Sequence, residues 1–189
     1  MKILGGIYSK DSGEIYIRGE KVRIGTVEDA KSLGIRMIHQ EISLNDYLTV
    51  AENIFMGRYI TGRLGLVDFR EMNRQTQSIL DRMNLNIKAG DIVGKLSIAQ
   101  QQMIEICRSI YDNAKILIMD EPTASLTDKE IDELFLHINE LKASGVGIIY
   151  ISHRMEEISR IADRVTVLRD GLLIGSLPGE LVSHVKLSI

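Results

Sequence analysis

A short apolar run that ends in two adjacent acids constrains the fold of this chain more than any other feature. Residues 115–120 read KILIMD, and Glu121 and Pro122 follow directly. A continuous apolar run closed by a carboxylate is typical of a central parallel strand that is buried on both faces. Two acids at the end of such a strand are costly unless a cation or another partner compensates their charge. The run therefore predicts an α/β fold with a functional sheet edge at residues 120 and 121.

Two further predicted strands end in polar side chains. Residues 35–39 end at Gln40, and residues 147–152 end at His153. In an open parallel sheet the ligand crevice lies outside the carboxyl ends of the strands, so these side chains would converge with the two acids if the strands are neighbours. Such a set suits phosphoryl transfer to water, in which one carboxylate holds Mg²⁺, a second activates the water, and polar groups sense the γ-phosphate. Alone, Gln40 is more simply a loop residue and His153 a helix cap.

The sequence pattern over residues 49–111 predicts helices without intervening strands. Thr49 and Glu52 can cap a helix that runs through Met56, and Asp68 and Ser97 open two longer helices. In the second helix the side chains that share one face at helical spacing are Phe69, Met72, Thr76, Ile79, Leu80 and Met83; in the third they are Ala99, Met103, Ile106, Cys107 and Ile110. This segment predicts a helical subdomain inserted into the α/β framework.

Local signals place the remaining elements. Residues 13–22 alternate as a short hairpin, and a second hairpin over 165–174 turns at Asp170 and Gly171. Capping boxes predict helices that begin at Thr26 and Thr127.

Residues 97–100, which read SIAQ, have two interpretations. Ser97 and Gln100 are spaced as a capping box at the start of an amphipathic helix. The same helix start can also bind an anion, because its backbone N–H groups and its dipole favour a phosphate. Taken alone, the residues favour the capping interpretation.

Composition excludes some classes of protein. The net charge is −3 and no Lys/Arg block stands out, so no dedicated nucleic-acid surface is indicated. No apolar run reaches the ~18–20 residues that cross a bilayer. The single Cys107 cannot form an internal disulfide, and its place in an apolar helical pattern predicts a buried thiol in a reducing compartment.

The order of these motifs resembles that of ABC transporter ATPases from Met1 to about Ser176. Five segments resemble the Q-loop, signature, Walker B, D-loop and H-loop, namely Gln40 and residues 96–102 (LSIAQQQ), 116–123 (ILIMDEPT), 125–128 (SLTD) and 150–155 (YISHRM). The glutamine-rich signature resembles that of the carbohydrate importers, and the chain is most similar to the first of their two cassettes. The implied fold is a P-loop NTPase-like ABC cassette with an inserted helical subdomain.

The resemblance implies three segments and a set of catalytic roles. A partial core with the hairpin and Q-loop strand would span 1–48, the helical subdomain 49–111, and a core segment with Walker B, D-loop and H-loop 112–189. Asp120 would hold Mg²⁺ and Glu121 would be the general base. Gln40 would contact Mg²⁺ or the attacking water, His153 would hydrogen-bond the γ-phosphate, and Asp128 would belong to a loop that crosses a cassette dimer.

The same resemblance implies partners. Ser97, Ile98, Ala99 and Gln100 would bind the γ-phosphate of ATP held by a second ABC cassette, although Ile98 and Ala99 stand where the family usually has two glycines, which weakens the expected site. Residues 49–57 would dock on transmembrane permease subunits at the cytoplasmic face of the membrane. A periplasmic sugar-binding protein would take part indirectly, and no nucleic acid is expected.

The main departure from the family is the phosphate loop. No G-x-x-x-x-G-K-[ST] run occurs in the 189 residues, and residues 1–8 resemble the end of the helix that follows such a loop. The last dozen residues, from about Leu177, match the family only weakly. This polypeptide alone is therefore expected to be inactive, and an interaction module is an alternative to an energy-coupling ATPase. A non-transport ABC ATPase is a third alternative, against which the sugar-importer-like signature weighs.

Overall fold

The computed structural model contains both strands and helices and describes residues 1–39, 42–63, 65–179 and 181. In chain order the elements are β1 (Ile15–Ile17), β2 (Glu20–Val22), α1 (Val27–Ser32), β3 (Ile35–Ile38), α2 (Val50–Ile54), α3 (Phe69–Arg82), α4 (Ile98–Tyr111), β4 (Ile116–Asp120), α5 (Asp128–Ala143), β5 (Gly147–Ile151), α6 (Met155–Ile161), β6 (Arg164–Arg169) and β7 (Leu172–Pro178). The chain divides into two compact units, Met1–Ile149 and Tyr150–Ile189, and each is described by itself.

The sheet of the first unit has the predicted central strand. Its order is β3-β4-β5, and β3 runs parallel to β4 with Ile35 opposite Ile116. The start of β5 joins β4 through the N–H of Gly147, which donates to the carbonyl of Lys115 at 2.9 Å. The middle of β4 is buried, since Leu117, Ile118 and Met119 are at most 1% exposed. The apolar run is therefore a buried parallel strand, and its two acids follow at the carboxyl end.

Four helices in the described part of the chain begin with the capping boxes that the sequence predicts. In each, the N-cap hydroxyl accepts the N–H of the third helical residue, whose side chain in turn accepts the N-cap N–H. The pairs are Thr26 with Asp29, Thr49 with Glu52, Ser97 with Gln100 and Thr127 with Glu130. None of the helices in this part of the chain is both long and apolar enough to cross a membrane.

One residue of the predicted apolar face of α3 is exposed. Met72, Thr76, Ile79 and Leu80 are buried as expected, but Phe69 is 53% exposed. Phe69 is the first residue of α3, and side chains on a helix lean towards its N-terminus. Its ring therefore lies beyond the packed part of the helix.

An ion cluster links the sheet to the helical region. We call Arg36, Arg58, Tyr111 and Asp112 the Asp112 cluster. Arg36 of β3 donates from Nε to Asp112 Oδ2 at 3.0 Å and from Nη2 to the Asp112 carbonyl at 3.2 Å. Arg58, which follows α2, pairs with Asp112 Oδ1, and its guanidinium lies 5.2 Å from the centre of the Tyr111 ring. Because Asp112 caps the end of α4, one half-buried carboxylate ties three elements together.

The first residues form the hydrogen bonds with which a helix ends. The N–H of Ile7 donates to the Lys2 carbonyl at 2.9 Å, and the N–H of Gly6 donates to the Ile3 carbonyl at 3.1 Å. Gly6 has a φ of 73°, and a Cβ there would lie 2.0 Å from the Thr26 carbonyl oxygen. This geometry agrees with the resemblance of residues 1–8 to the end of a helix.

Both predicted hairpins are present, and both turn through positive φ, which the sequence predicts for the second. Arg18 and Gly19 join β1 to β2 with φ of 53° and 84°, and Asp170 and Gly171 join β6 to β7 with φ of 50° and 76°. The second hairpin lies in the second unit and is longer than predicted, because β7 continues to Pro178.

Cys107 is buried in α4, which confirms the predicted buried thiol. Its side chain is 0% exposed, its Sγ lies 3.4 Å from Met83 Sδ, and burial raises the pKa of the thiol to about 12. At pH 8 only about 10⁻⁴ of the thiol is ionised, and the thiolate is the reactive form.

We expect iodoacetamide to leave the folded chain unmodified and to label it once in denaturing urea, as read by mass spectrometry. Equal labelling rates in both conditions would contradict this burial.

Candidate functional site

The two acids lie where the central strand ends. Asp120 is the last residue of β4, Glu121 follows it, and both are half-buried. Glu121 has a φ of 46°, a left-handed conformation that non-glycine residues adopt rarely and that clusters at functional sites. Its carbonyl accepts the N–H of Ala124 at 3.3 Å, which closes the turn after the strand. The backbone thus leaves the sheet abruptly at the second acid.

A cavity of about 370 Å³ adjoins Glu121, and we call it the motif cavity. Three segments line it: residues that follow Gln40, the first turns of α4, and the turn after β4. The lining residues are Ile42, Leu44, Asp46, Ile98, Gln101, Gln102, Glu121, Pro122, Ala124, Ser125 and Leu126. The structure therefore brings Glu121 together with parts of the predicted signature and D-loop.

The start of α4 satisfies the capping interpretation without excluding the anion interpretation. Gln100 donates its N–H to Ser97 Oγ at 3.2 Å, and Ser97 donates its N–H to Gln100 Oε1 at 3.0 Å. Ile98, which is 48% exposed, and Ala99 open the helix. Their backbone N–H groups are among those that have no acceptor within a helix, so they stay available to an anion.

Asp128 begins α5, directly after its N-cap Thr127. It is exposed, and a carboxylate in the first turn of a helix is stabilised by the helix dipole. Ser125 and Leu126 line the motif cavity, and Asp128 does not.

His153 lies in the second unit, between β5 and α6. Arg154 occupies the N-cap position of α6, and His153 precedes it. Gln40 lies outside the described residues. The roles of His153 and Gln40 therefore stay predictions.

The sequence did not identify Glu157, which fixes the turn that carries His153. Glu157 is 3% exposed, and its Oε2 accepts the hydroxyls of Tyr150 at 2.8 Å and Ser152 at 3.0 Å. Arg154 Nη1 lies 2.8 Å from the other oxygen, Oε1. Side chains two residues apart lie on the same face of an extended segment. The spacing of the hydroxyls of Tyr150 and Ser152 was therefore the sequence feature that could have indicated a shared acceptor.

Four polar side chains on α4 are buried, although the sequence did not place them on its apolar side: Gln101, Gln102, Glu105 and Ser109. Gln101 Nε2 donates to the carbonyls of Val93 and Leu96, both at 3.2 Å. Glu105 Oε1 accepts the hydroxyl of Ser43 at 3.1 Å. Gln102 is 4% exposed, and its Nε2 has no hydrogen-bond partner among the described residues. Its spacing with Ala99 and Ile106 places Gln102 on the buried face, a signal that the sequence contained.

Comparison with known proteins agrees with the geometry. A family model described as ABC transporter matches residues 1–124. A ribose/galactose/methyl galactoside import ATP-binding protein of Albidiferax ferrireducens is 50% identical over 179 residues, which are 94% of this chain and 36% of that protein. A protein of the same description from Burkholderia ambifaria is also 50% identical, over 94% of this chain and 35% of its own length. The chain thus spans about a third of the length of these relatives.

A solved structure shows the same fold. The nucleotide-free ATP-binding cassette of an ABC transporter superposes with a TM-score of 0.83 at 23% identity, over 97% of this chain and 76% of that one. The predicted cassette fold is therefore confirmed.

Proposed function

Because the chain belongs to the ABC transporter family, a family of ATPases, we propose that it forms part of an ATP-binding subunit. This subunit would couple MgATP hydrolysis to sugar import. The observation that carries this proposal is the motif cavity, around which Glu121, the start of α4 and the turn after β4 meet. The names of the relatives point to ribose, galactose or a related monosaccharide as the transported sugar.

Asp120 and Glu121 fit a Mg²⁺ ion that is held jointly with nucleotide phosphates. Within the described ranges no group of three or more His, Cys, Asp or Glu side chains could hold a metal by itself. Mg²⁺ commonly keeps several waters and takes one or two carboxylates plus substrate phosphates, so a pair of acids is sufficient. Asp120 would hold the ion, which neutralises phosphate charge when bound.

Glu121 would act as the general base. Its carboxylate is half-buried beside the motif cavity, so it can accept a proton from a water that attacks the γ-phosphate. Gln40 would help to place that water or the metal, and His153 would donate to the γ-phosphate. Holding these groups in one geometry supplies most of the rate enhancement in phosphoryl transfer, because the protein forms no covalent bond to the phosphate.

The start of α4 would bind the γ-phosphate of ATP held by a second, facing cassette. The N–H groups of Ile98 and Ala99 and the hydroxyl of Ser97 are the donors, and Gln100 fixes the hydroxyl through the capping box. Asp128 would lie near the contact between the two cassettes. ATP would then hold the cassettes together, and hydrolysis would release them.

The helical region would dock on permease subunits at the cytoplasmic face of the membrane, with a periplasmic sugar-binding protein as an indirect partner. Much of the proposed docking segment, residues 49–57, is buried, including Val50 and Phe55. The residues there that can contact a partner include Met56, Gly57 and their neighbour Tyr59, together with Tyr47, which is 90% exposed.

A transport assay tests the proposed function. We define the full-length chimera as the Albidiferax ferrireducens relative with its matched 179-residue region replaced by that of this chain. In cells that lack the relative, the chimera is expected to restore uptake of radiolabelled ribose or galactose, with the unmodified relative as the positive control. A chimera that is expressed at the same level but restores neither uptake nor ATP hydrolysis would contradict the proposal.

A further inference from the structure

Gln102 leaves a hydrogen-bond donor unused inside the protein. Its side chain is 4% exposed, and Nε2 has no partner among the described residues. A buried donor without a partner destabilises a fold, and native proteins retain few of them. Where one is retained, a functional state that provides the missing acceptor is a physical explanation.

The neighbouring Gln101 shows what a structural glutamine does at this place. Gln101 is also buried, at 9% exposure, and its Nε2 donates to the carbonyls of Val93 and Leu96. These bonds hold the short 3-10 turn, Val93–Lys95, that leads into α4. The two adjacent side-chain amides therefore differ. The Nε2 of Gln101 donates hydrogen bonds within the fold, and the Nε2 of Gln102 has no partner among the described residues.

The motif cavity offers Gln102 two carboxylates. Asp46 and Glu121 both line it together with Gln102. Asp46 is exposed, so its carboxylate is solvated and gains little from another donor. Glu121 is half-buried and gains more from a hydrogen bond in its less polar surroundings. Burial therefore favours Glu121 over Asp46 as the acceptor.

We propose that Gln102 is a positioning residue, whose Nε2 donates to the Glu121 carboxylate across the motif cavity during ATP hydrolysis. The inference rests on the proposed function, because it assumes that Glu121 is the general base. A general base must lie within hydrogen-bond reach of the water that it deprotonates. A neutral amide can hold one carboxylate oxygen while the other accepts the proton, and the amide itself exchanges no proton with the base.

The test compares Gln102→Met with Gln101→Met, since methionine keeps the length of glutamine without a donor. In the full-length chimera, Gln102→Met is expected to lower kcat for ATP hydrolysis by about 10- to 100-fold and to leave the KM for ATP within about two-fold. The Tm of the same protein is expected to stay or rise, because an unpaired buried donor is removed. Gln101→Met is expected to lower the Tm, because the hydrogen bonds from Nε2 to the carbonyls of Val93 and Leu96 are lost.

Two further variants separate this inference from the proposed function. Gln102→Asn keeps the amide on a shorter stem and is expected to recover part of the lost kcat. Adding Gln102→Met to Glu121→Gln is expected to cause no further loss, since the two side chains act through one step. The inference is overturned if Gln102→Met keeps wild-type kcat, or if its Tm falls as that of Gln101→Met does. If Glu121→Gln itself turns over normally, Glu121 is not the general base, and that part of the proposed function fails instead.

Discussion

Replacing Glu121 by glutamine is expected to lower kcat for ATP hydrolysis in the full-length chimera by roughly 10²- to 10⁴-fold, the range that a general base contributes. The amide has nearly the same size as the carboxylate but cannot accept a proton from water. Binding groups are unchanged, so the KM for ATP should change little. ATP-bound pairs of cassettes should then accumulate, because the step that releases them is slow. Phosphate release and size-exclusion chromatography with ATP measure the two effects.

Glu130→Gln is the matched control for this change. Glu130 is also half-buried and close in sequence, but its carboxylate caps α5, a role that glutamine fills at the start of α4. The control should retain kcat and should not accumulate ATP-bound pairs. Unchanged turnover in Glu121→Gln would remove Glu121 from the role of general base.

Replacing Asp112 by alanine is expected to lower the free energy of unfolding of the chain by about 2 kcal/mol, between the values for an exposed and a buried ion pair. The Asp112 side chain is 12% exposed and that of Arg36 14%, so water compensates the lost carboxylate poorly. Two guanidinium groups would remain close together without their shared partner. Urea denaturation at constant m-value measures the loss.

Glu14→Ala provides the comparison for an exposed pair. Glu14 contacts Lys21, and their side chains are 49% and 63% exposed. Water solvates both groups after the pair is broken, so the denaturation midpoint should stay the same within error. Equal losses in Asp112→Ala and Glu14→Ala would show that the Asp112 cluster contributes no more than a surface pair.

The predictions from sequence succeeded where the signal is local. A capping box needs two residues three apart, as with Thr127 and Glu130, and it fixes the start of a helix whatever packs against it. The run before Asp120 predicted a buried strand because unbroken apolar character fits burial on both faces. Both signals are complete within a few residues.

Signals that depend on distant partners were missed. Arg36 and Asp112 are 76 residues apart, and nothing in either local sequence indicates their pairing. The burial of Gln102 was not predicted, because a polar amide is not counted as part of an apolar helix face even where its position is buried. The prediction that Phe69 packs with the apolar face of α3 was wrong. Helical spacing assigns a side chain to a face of the helix but does not indicate where the packed part of that face ends.

The helix starts also differ in how strongly a fall in pH weakens their capping boxes. Backbone N–H groups of Gly25 and Thr26 lower the pKa of Asp29, and that of Thr127 lowers the pKa of Glu130. Their stabilising effect is present above the unfolded pKa and is lost as the pH falls through the lowered pKa of the folded state. The amide of Gln100 has no such titration. Acidification should therefore loosen the starts of α1 and α5 and leave the start of α4, where we place the phosphate, in its neutral-pH geometry.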